Sequence, residues 1–148
     1  MKSTRNISLL FLTILISFAA SAKDASKVLN VASKGDQLFF DKTSLSAKPN
    51  QPLKITYKNT SSKTSGMQHN FIVAKPGTED AIAAASIAAG ADKGWLADSP
   101  DIIAHTKLLN AGESETLTFN APSAPGDYPY FCSFPGHNAT MKGVLHVK

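Results

Sequence analysis

The sequence predicts an all-β fold, a Greek-key β-sandwich or barrel into which one short helix is inserted. Three observations support this prediction. Short apolar or alternating segments recur along the chain, turn-forming residues separate them, and a single segment has the composition of a helix. Many short strands joined by turns are typical of sandwiches and Greek-key barrels. The region 23–148 is long enough for one domain with its own core, and too short for two.

Four strand candidates precede the helix. The segments 28–32 (VLNVA) and 70–74 (NFIVA) are mostly apolar, and 38–40 (LFF) follows a Gly-Asp turn signal at 35–36. In 53–59 (LKITYKN) a leucine, an isoleucine and a tyrosine alternate with polar residues, which predicts a strand with one buried face.

The predicted helix is the alanine-rich segment 81–90 (AIAAASIAAG). Thr78 offers an N-cap, Glu79 and Asp80 provide an acidic first turn, and Gly90 is a suitable end. Alanines favour a helix without adding bulk, so we expect this helix to pack closely on the side or end of the barrel.

Four further strand candidates follow the helix. They are 102–109 (IIAHTKLL), the alternating 115–120 (ETLTFN), 128–132 (YPYFC) and 143–148 (GVLHVK). The last two flank a loop that holds a cysteine, a histidine and a methionine, and this loop is the segment most informative about function.

The N-terminus has the pattern of a secretory signal peptide. Two basic residues precede the apolar run 7–20, which is shorter than a membrane span, and Ala-Ser-Ala at 20–22 suits signal peptidase. We therefore predict a signal peptide at 1–22, a folded domain at 23–148 and a periplasmic location. The alternative is an uncleaved tether, and contact with a membrane is expected only in that case.

The charge distribution excludes one class of partner. The formal net charge is +4, and removal of the predicted signal peptide lowers it to about +2, with lysines spread singly along the domain. Nucleic-acid binding requires clustered positive charge, so we expect no nucleic-acid partner. Neither a nucleophile–base pair nor paired carboxylates occur near the informative loop, so the sequence predicts neither an enzyme nor a small-molecule substrate.

The segment 132–141 (CSFPGHNATM) brings a thiol, an imidazole and a thioether into one loop, at Cys132, His137 and Met141. A single cysteine in an exported protein cannot form an internal disulfide, and metal binding is one reason to retain it. The soft sulfur donors suit Cu(I), and imidazole suits both copper states. Each residue alone is more often part of a core or a surface. Together they predict a type 1 copper site, which needs a second histidine.

Three other histidines are candidates for this missing ligand. His69 precedes a strand candidate and follows a polar loop, so it can reach the copper loop at the same end of a sandwich. His105 lies inside a strand candidate, and His146 lies in the last one, five residues beyond Met141. His69 is therefore the best candidate.

The copper loop CSFPGHNATMKG resembles that of the azurin and auracyanin branch of the cupredoxins. Its Cys-x4-His-x3-Met spacing is that of this branch, whereas plastocyanins have a shorter spacing from cysteine to histidine. The segment 67–70 (MQHN) resembles the motif that supplies the first ligand, and IIAHTKLL is similar to an azurin strand whose histidine, here His105, does not bind copper. The resemblance covers about 53–148 and implies a cupredoxin fold and electron transfer by one copper ion.

The resemblance also implies a ligand set. His69, Cys132 and His137 would bind copper in one plane, Met141 would be a weak axial ligand, and the backbone carbonyl of Gln68 would face the copper from the opposite side.

Further roles around the ligands are implied in the same way. Asn70 would join the two ligand segments by hydrogen bonds near Ser133, and the amide of Phe134 would donate to the cysteine sulfur. Azurins carry a disulfide near the N-terminus, which this chain lacks, and this implies a less restrained first strand.

In the family, electrons enter and leave where the edge of the loop histidine, here His137, emerges through an apolar patch. We refer to the corresponding residues as the docking patch: Met67, Phe134, Pro135, Gly136, Ala139 and the rim of Met141. Such a patch is typical of transient docking. The resemblance implies short-lived contacts between a monomer and a cytochrome or copper oxidoreductase. Thr140 stands where azurins have leucine, so the patch should be more polar.

Other functions of a metal site are less compatible with the sequence. A copper chaperone or storage protein would present exposed methionines or histidines, and only three methionines are present, including the initiator. A copper enzyme such as a nitrite reductase would need a second domain of this kind. Zinc can use the same four ligands, because it accepts cysteine and histidine.

Overall fold

The computed structural model describes residues 25–148, and this region contains nine strands and one α-helix. The strands are β1 (Lys27–Lys34), β2 (Gln37–Phe40), β3 (Ser44–Ala47), β4 (Pro52–Lys58), β5 (Ile72–Ala74), β6 (Ile102–His105), β7 (Ser114–Asn120), β8 (Gly126–Phe131) and β9 (Lys142–Val147). The helix α1 spans Glu79–Ala89, and short 3₁₀ turns lie at Ala91–Lys93 and His137–Ala139. The predicted signal peptide at 1–22 lies outside the described residues. Within the described region, no helix is long and apolar enough to cross a bilayer.

The strands form two sheets that enclose one core. The four-stranded sheet has the order β2-β1-β4-β7, and the five-stranded sheet has the order β3-β9-β8-β5-β6. β1 is parallel to β4 and β3 is parallel to β9, whereas the other pairs are antiparallel. The chain crosses from one sheet to the other after β2, β3, β4, β6 and β7. This topology is a Greek-key sandwich, as the sequence predicted.

Alternation in β4 produces one side of the core. Leu53, Ile55 and Tyr57 are fully buried, as predicted, and the polar residues between them face outward. Four large rings from both sheets meet in the centre, with centroids 4.9 to 5.8 Å apart. We refer to these residues as the aromatic cluster: Phe40, Tyr57, Phe71 and Tyr130.

The helix packs on the outer side of the five-stranded sheet. Ile82 and Ala83 form a small cluster with Ile72 of β5 and Phe131 of β8, so the prediction of close packing on the side is confirmed. Thr78 occupies the N-cap position, but its hydroxyl donates to the carbonyl of Lys75 and makes no capping bond to the helix. The expected cap is therefore replaced by a local turn.

Some predicted strands have different limits in the structure. Only Ile102–His105 of the candidate 102–109 is a strand, because Thr106 hydrogen-bonds to the backbone of Phe71 through both its amide and its side chain. The strand β3 (SLSA) was not predicted, since half of its residues are serine. It forms by parallel pairing with β9, which is an interaction between distant segments.

Candidate metal centre

The loop between β8 and β9 is held in shape by its own backbone. The amide of His137 donates to the carbonyl of Phe134 at 2.9 Å, which closes a turn over Pro135 and Gly136. Gly136 has φ +80° and ψ −10°, the values required at the third position of a type II turn, where glycine is favoured. Proline suits the second position of the same turn. The Pro-Gly pair therefore sets the direction of His137.

The start and the end of this loop are joined directly. The amide of Cys132 donates to the carbonyl of Met141 at 3.0 Å, and the amide of Met141 donates to the carbonyl of His137 at 2.8 Å. The side chains of Cys132 and Met141 are fully buried in the core. All three predicted ligands of this loop thus belong to one hydrogen-bonded unit.

His69 comes from a separate segment, just before β5. It forms an isolated bridge with Leu109, with its amide donating at 3.1 Å and its carbonyl accepting at 2.8 Å. Its side chain is fully buried. The residue predicted as the missing ligand therefore lies against the copper loop.

The donor atoms of His69, Cys132 and His137 form a triangle of suitable size for one metal ion. The Nδ1 atoms of His69 and His137 are 3.1 Å apart, and the Sγ atom of Cys132 lies 3.9 Å from the first and 3.6 Å from the second. The circle through these atoms has a radius of about 2.1 Å, which matches typical metal–nitrogen and metal–sulfur bonds of ~2.0–2.3 Å. A metal ion therefore fits between the donors as they stand.

Burial controls the protonation of these donors. It lowers the pKa of His69 to about 4, with a further contribution from the nearby His137, and it also lowers the pKa of His137. Both imidazoles are thus neutral near pH 7, which is the form that binds metals. Burial raises the pKa of the Cys132 thiol to about 11, while the backbone amides of Asn70 and Phe134 act in the opposite direction. A metal ion would have to displace the thiol proton.

Asn70 and Ser133 connect the two ligand segments. The side-chain amide of Asn70 donates to the hydroxyl of Ser133, and the backbone amide of Ser133 donates to the side-chain carbonyl of Asn70, each at 2.8 Å. The hydroxyl of Ser133 also donates to the carbonyl of Trp95. These buried bonds join His69, Cys132 and the loop after α1 into one unit.

Gln68 lies beside His69 and is half-buried. Its side-chain amide donates to Asn110 at 2.8 Å, so this side chain is directed away from the triangle and toward the β6–β7 connection. The predicted role of its backbone carbonyl stays a prediction.

The two remaining histidines lie elsewhere. His105 is exposed at the end of β6, and His146 contacts Asp127 at 2.6 Å on the surface of the five-stranded sheet. Among residues 25–148, the only convergent group of histidine, cysteine or acidic donors is the triangle. The choice of His69 over these two agrees with the structure.

Ser61 and Asn59 belong to the site but were not predicted from the sequence. The Oγ atom of Ser61 lies 3.3 Å from Nε2 of His69, and both residues are buried. Asn59 donates to the carbonyls of Met67 and Leu109, on either side of the His69 bridge. Both residues lie in a polar segment that resembles an ordinary surface loop, so the sequence contains no signal for them.

The predicted docking patch surrounds a nearly buried His137, which is 8% exposed. Gly136 and Ala139 are exposed, whereas Met67, Phe134 and Pro135 are half-buried. Met141 is fully buried, so the expectation that its rim contributes to the patch is wrong. The ring of Phe134 packs against that of His137 at 4.6 Å and against Trp95 at 6.0 Å between centroids.

Thr140 was expected to make this patch more polar. Its hydroxyl donates to the carbonyl of Leu38 at 2.9 Å and is therefore engaged within the protein. The contact also places β2 beside the copper loop.

Comparison with known proteins gives a consistent result. The sequence model of copper-binding proteins of the plastocyanin/azurin family matches residues 26–148. Auracyanin-A from Chloroflexus aurantiacus is 42% identical over 122 residues, which cover 80% of this chain and 73% of the relative. Azurin from Bordetella pertussis is 35% identical over 141 residues, which cover 92% of this chain and 93% of the relative.

Solved structures agree with the sequence matches. The dithionite-reduced auracyanin from Roseiflexus castenholzii has a TM-score of 0.77 and 39% identity, covering 84% of this chain and 98% of that chain. Auracyanin A from Chloroflexus aurantiacus, described as a "blue" copper protein, has a TM-score of 0.76 and 38% identity, with coverage of 84% and 100%. The resemblance was expected to begin at about residue 53, but the family model already matches from residue 26. With the donor triangle, it shows that the chain belongs to the plastocyanin/azurin family of copper-binding proteins.

Proposed function

We infer that this type 1 copper protein carries single electrons between other redox proteins and catalyses no reaction of its own. The observation that carries this conclusion is the enclosed triangle of His69, Cys132 and His137, whose donors fit one metal ion. One electron is accepted from a reduced partner and one is passed to an oxidised partner. No atom or proton needs to be transferred.

The proposed ligands are His69, Cys132 and His137, with Met141 and the carbonyl of Gln68 as weaker ones. Copper, when bound, supplies the Cu(I)/Cu(II) couple, and this set of soft and intermediate donors is compatible with both states. The protein's part is to hold the donors in one arrangement. The closed loop, the buried imidazoles and the neighbouring hydrogen bonds all serve this, because donors that cannot move need little rearrangement when the charge changes.

The burial of the donors argues against a copper chaperone. His69 and Cys132 are fully buried and His137 is 8% exposed, so a partner protein cannot approach the donors to take over the metal. An electron can still pass between the metal and the protein surface, because the ring of His137 reaches the surface at its edge. The same burial shields the donors from direct contact with a substrate, which supports a carrier rather than an enzyme.

The docking patch is the proposed surface for electron exchange. Its exposed Gly136 and Ala139 and its half-buried apolar neighbours surround the edge of His137. Small apolar patches favour weak, short-lived contacts. We propose that a monomer of this protein meets a cytochrome or a copper oxidoreductase through this patch.

Absorption and EPR spectra test the function and the ligands. Addition of Cu(II) to the purified protein should produce an intense blue or green colour, because a thiolate bound to Cu(II) absorbs visible light. Cys132→Ser should abolish the colour, whereas His105→Gln, which changes an exposed histidine outside the triangle, should retain it. A wild-type protein that binds one zinc ion and stays colourless with Cu(II) would contradict the proposal.

A charge introduced into the docking patch tests the surface. Ala139→Lys should slow electron exchange with a cytochrome while the colour is unchanged, because a charge must then be desolvated on docking. The matched control is Ser123→Lys, which adds the same charge at an exposed position near the start of β8, at the other end of the sandwich. Equal rates in the two variants would exclude the patch.

Export to the periplasm is the remaining part of the proposal. It is supported by the basic, apolar and small-residue pattern of 1–22. Mass spectrometry of the protein purified from a periplasmic extract should give a chain that begins at Lys23. A full-length chain in the membrane fraction would instead favour the uncleaved tether.

A further inference from the structure

The buried face of His69 opposite the donor triangle meets a serine. The Nε2 atom of His69 lies 3.3 Å from Oγ of Ser61, and both side chains are buried, with 0% and 6% exposure. No solvent is needed to satisfy the imidazole, because Ser61 is its neighbour on this side.

The direction of the hydrogen bond between Ser61 and His69 follows from the number of hydrogens that the serine can donate. A serine hydroxyl has one hydrogen to donate. The hydroxyl of Ser61 donates this hydrogen to the backbone carbonyl of Gly35 at 3.0 Å, and a carbonyl can only accept. The oxygen of Ser61 must therefore accept from His69, which requires a hydrogen on Nε2.

We propose that Ser61 is a positioning residue that holds His69 in the tautomer with the hydrogen on Nε2. The Nδ1 atom then carries a lone pair and faces Cys132 and His137 before any metal arrives. This inference rests on the proposed copper site and assigns Ser61 the task of preparing one of its ligands. The chain of bonds runs from His69 through Ser61 to the Gly35 carbonyl.

Ser61 can do this only if it is itself held in place. Its amide donates to the side chain of Asn59 at 3.0 Å, and Asn59 in turn donates to the carbonyl of Leu109 at 3.0 Å, the residue that pairs with His69. Ser61, Asn59, Leu109 and His69 therefore form a closed circuit of contacts.

The other end of the chain of bonds is fixed as well. Gly35 lies in the tight turn between β1 and β2 and has φ +57°, a conformation that favours glycine. The neighbouring Asp36 accepts hydrogen bonds from the amide and the hydroxyl of Ser62, each at 2.7 Å. The β1–β2 turn is thus attached to the loop that carries Ser61.

The hydrogen bond between His69 and Ser61 also affects the balance between Cu(I) and Cu(II). A hydroxyl that donates becomes a stronger acceptor, and an imidazole that donates its hydrogen becomes a more basic ligand. A more basic ligand stabilises Cu(II) relative to Cu(I). Loss of the Ser61 hydroxyl should therefore weaken Cu(II) binding more than Cu(I) binding and raise the reduction potential.

The test uses the full-length protein with and without copper. In the metal-free wild type, long-range ¹H–¹⁵N NMR at pH 7 should show His69 with hydrogen on Nε2 and a bare Nδ1. Ser61→Ala should give a mixture of tautomers, a Cu(II) affinity lower by roughly tenfold, and a higher potential. Ser65→Ala is the matched control, since Ser65 is an exposed serine of the same loop that also makes hydrogen bonds. It should match the wild type in all three measurements.

Each alternative outcome is decisive. A wild-type His69 with its hydrogen on Nδ1 would overturn the proposal without any variant, so the test survives even if Ser61→Ala fails to fold. An equal change in Ser65→Ala would show that loop mobility, rather than the hydroxyl, is responsible, and would also overturn it. A wild type that remains colourless with Cu(II) would contradict the proposed function, whereas the tautomer in the metal-free protein would still report on Ser61.

Discussion

The copper end and the centre of the sandwich are both buried, but they are built from different chemistry. The centre is the aromatic cluster, whose rings pack edge-to-face, tilted or stacked and are not involved in binding the metal. The copper end buries polar groups, including Asn59, Ser61, Asn70 and Ser133, and each is engaged in hydrogen bonds. Aromatic packing contributes stability by burying large apolar rings. Hydrogen bonds are directional, and those at the copper end orient the ligands.

The difference predicts that stability and metal binding can be damaged separately. Changes in the aromatic cluster should lower the free energy of unfolding and leave the copper spectrum intact. Changes in the polar network should alter both, because the network contributes to folding and also orients the donors.

Phe40→Ala should have the largest effect on stability. Phe40 contacts three other rings of the aromatic cluster, with centroids at 5.5 to 5.6 Å, and its removal leaves a cavity. Replacement of a buried phenylalanine by alanine costs about 3–5 kcal/mol. Urea unfolding of the metal-free protein measures this loss, and the visible spectrum of the copper form should keep its position. A shifted spectrum would show that the two regions are not separable.

Asn70→Ala should lower the free energy of unfolding less than Phe40→Ala does, and it should weaken metal binding more. It removes both bonds to Ser133 and leaves the buried backbone amide of Ser133 without a partner, at a cost of about 1–3 kcal/mol. Copper affinity should fall by about 10- to 100-fold, as is typical when groups that orient a ligand are removed. Thr56→Ala is a suitable control, because it breaks a surface pair with Thr116 far from the network. A normal copper affinity in Asn70→Ala would mean that the hydrogen bonds between Asn70 and Ser133 stabilise the fold without orienting the ligands.

The metal-free protein should become less stable as the pH falls from 7 to 5. The pKa of His69 is lowered from 6.5 to about 4 on folding, so the unfolded chain binds the proton first. Stability is therefore complete above pH 6.5 and is lost progressively as the pH falls toward 4. For His69 alone the loss between pH 7 and pH 5 is about 2 kcal/mol.

Urea midpoints of the metal-free protein at the two pH values measure this loss. His69→Gln should flatten the pH dependence, and His105→Gln should leave it unchanged. A stability that is equal at pH 7 and pH 5 would show that His69 titrates normally.

Thr140→Val should have the smallest effect. It keeps the shape of the side chain and removes the 2.9 Å bond to Leu38, an exposed contact worth about 0.5–1.5 kcal/mol. Since the hydroxyl is already engaged with the backbone, electron exchange through the docking patch should change little. A large acceleration in stopped-flow measurements with a cytochrome would show that Thr140 does make the patch polar.

Much of the fold could be predicted because it depends on local patterns. The alternation of Leu53, Ile55 and Tyr57 was sufficient to identify β4 and its buried face, and the alanine-rich segment was sufficient to identify α1. β3 could not be predicted, because its residues have little strand preference of their own. It exists because β9 offers a partner edge.

The residues of the candidate site also fall into two groups, those that local sequence could predict and those that only the fold brings together. Cys132, His137 and Met141 are close in sequence, and the Pro-Gly turn between them has a local conformation, so their spacing alone indicated copper. His69 could be selected as the fourth ligand only by its place before a strand and by resemblance. Ser61 could not be found, because its contact with His69 depends on the fold of a loop without regular structure.

The sequence by itself determined the chemistry of the metal centre, its soft sulfur donors and imidazoles, and the turn that presents one of them. Only the tertiary structure decided that His69 and Cys132, 63 residues apart, place their donor atoms within 3.9 Å, and that Ser61 orients the imidazole from behind. The physical reason is the separation along the sequence of the residues that interact. Turn conformation and ligand type depend on neighbours in the chain, whereas a buried hydrogen-bond network depends on which strands the two sheets bring together.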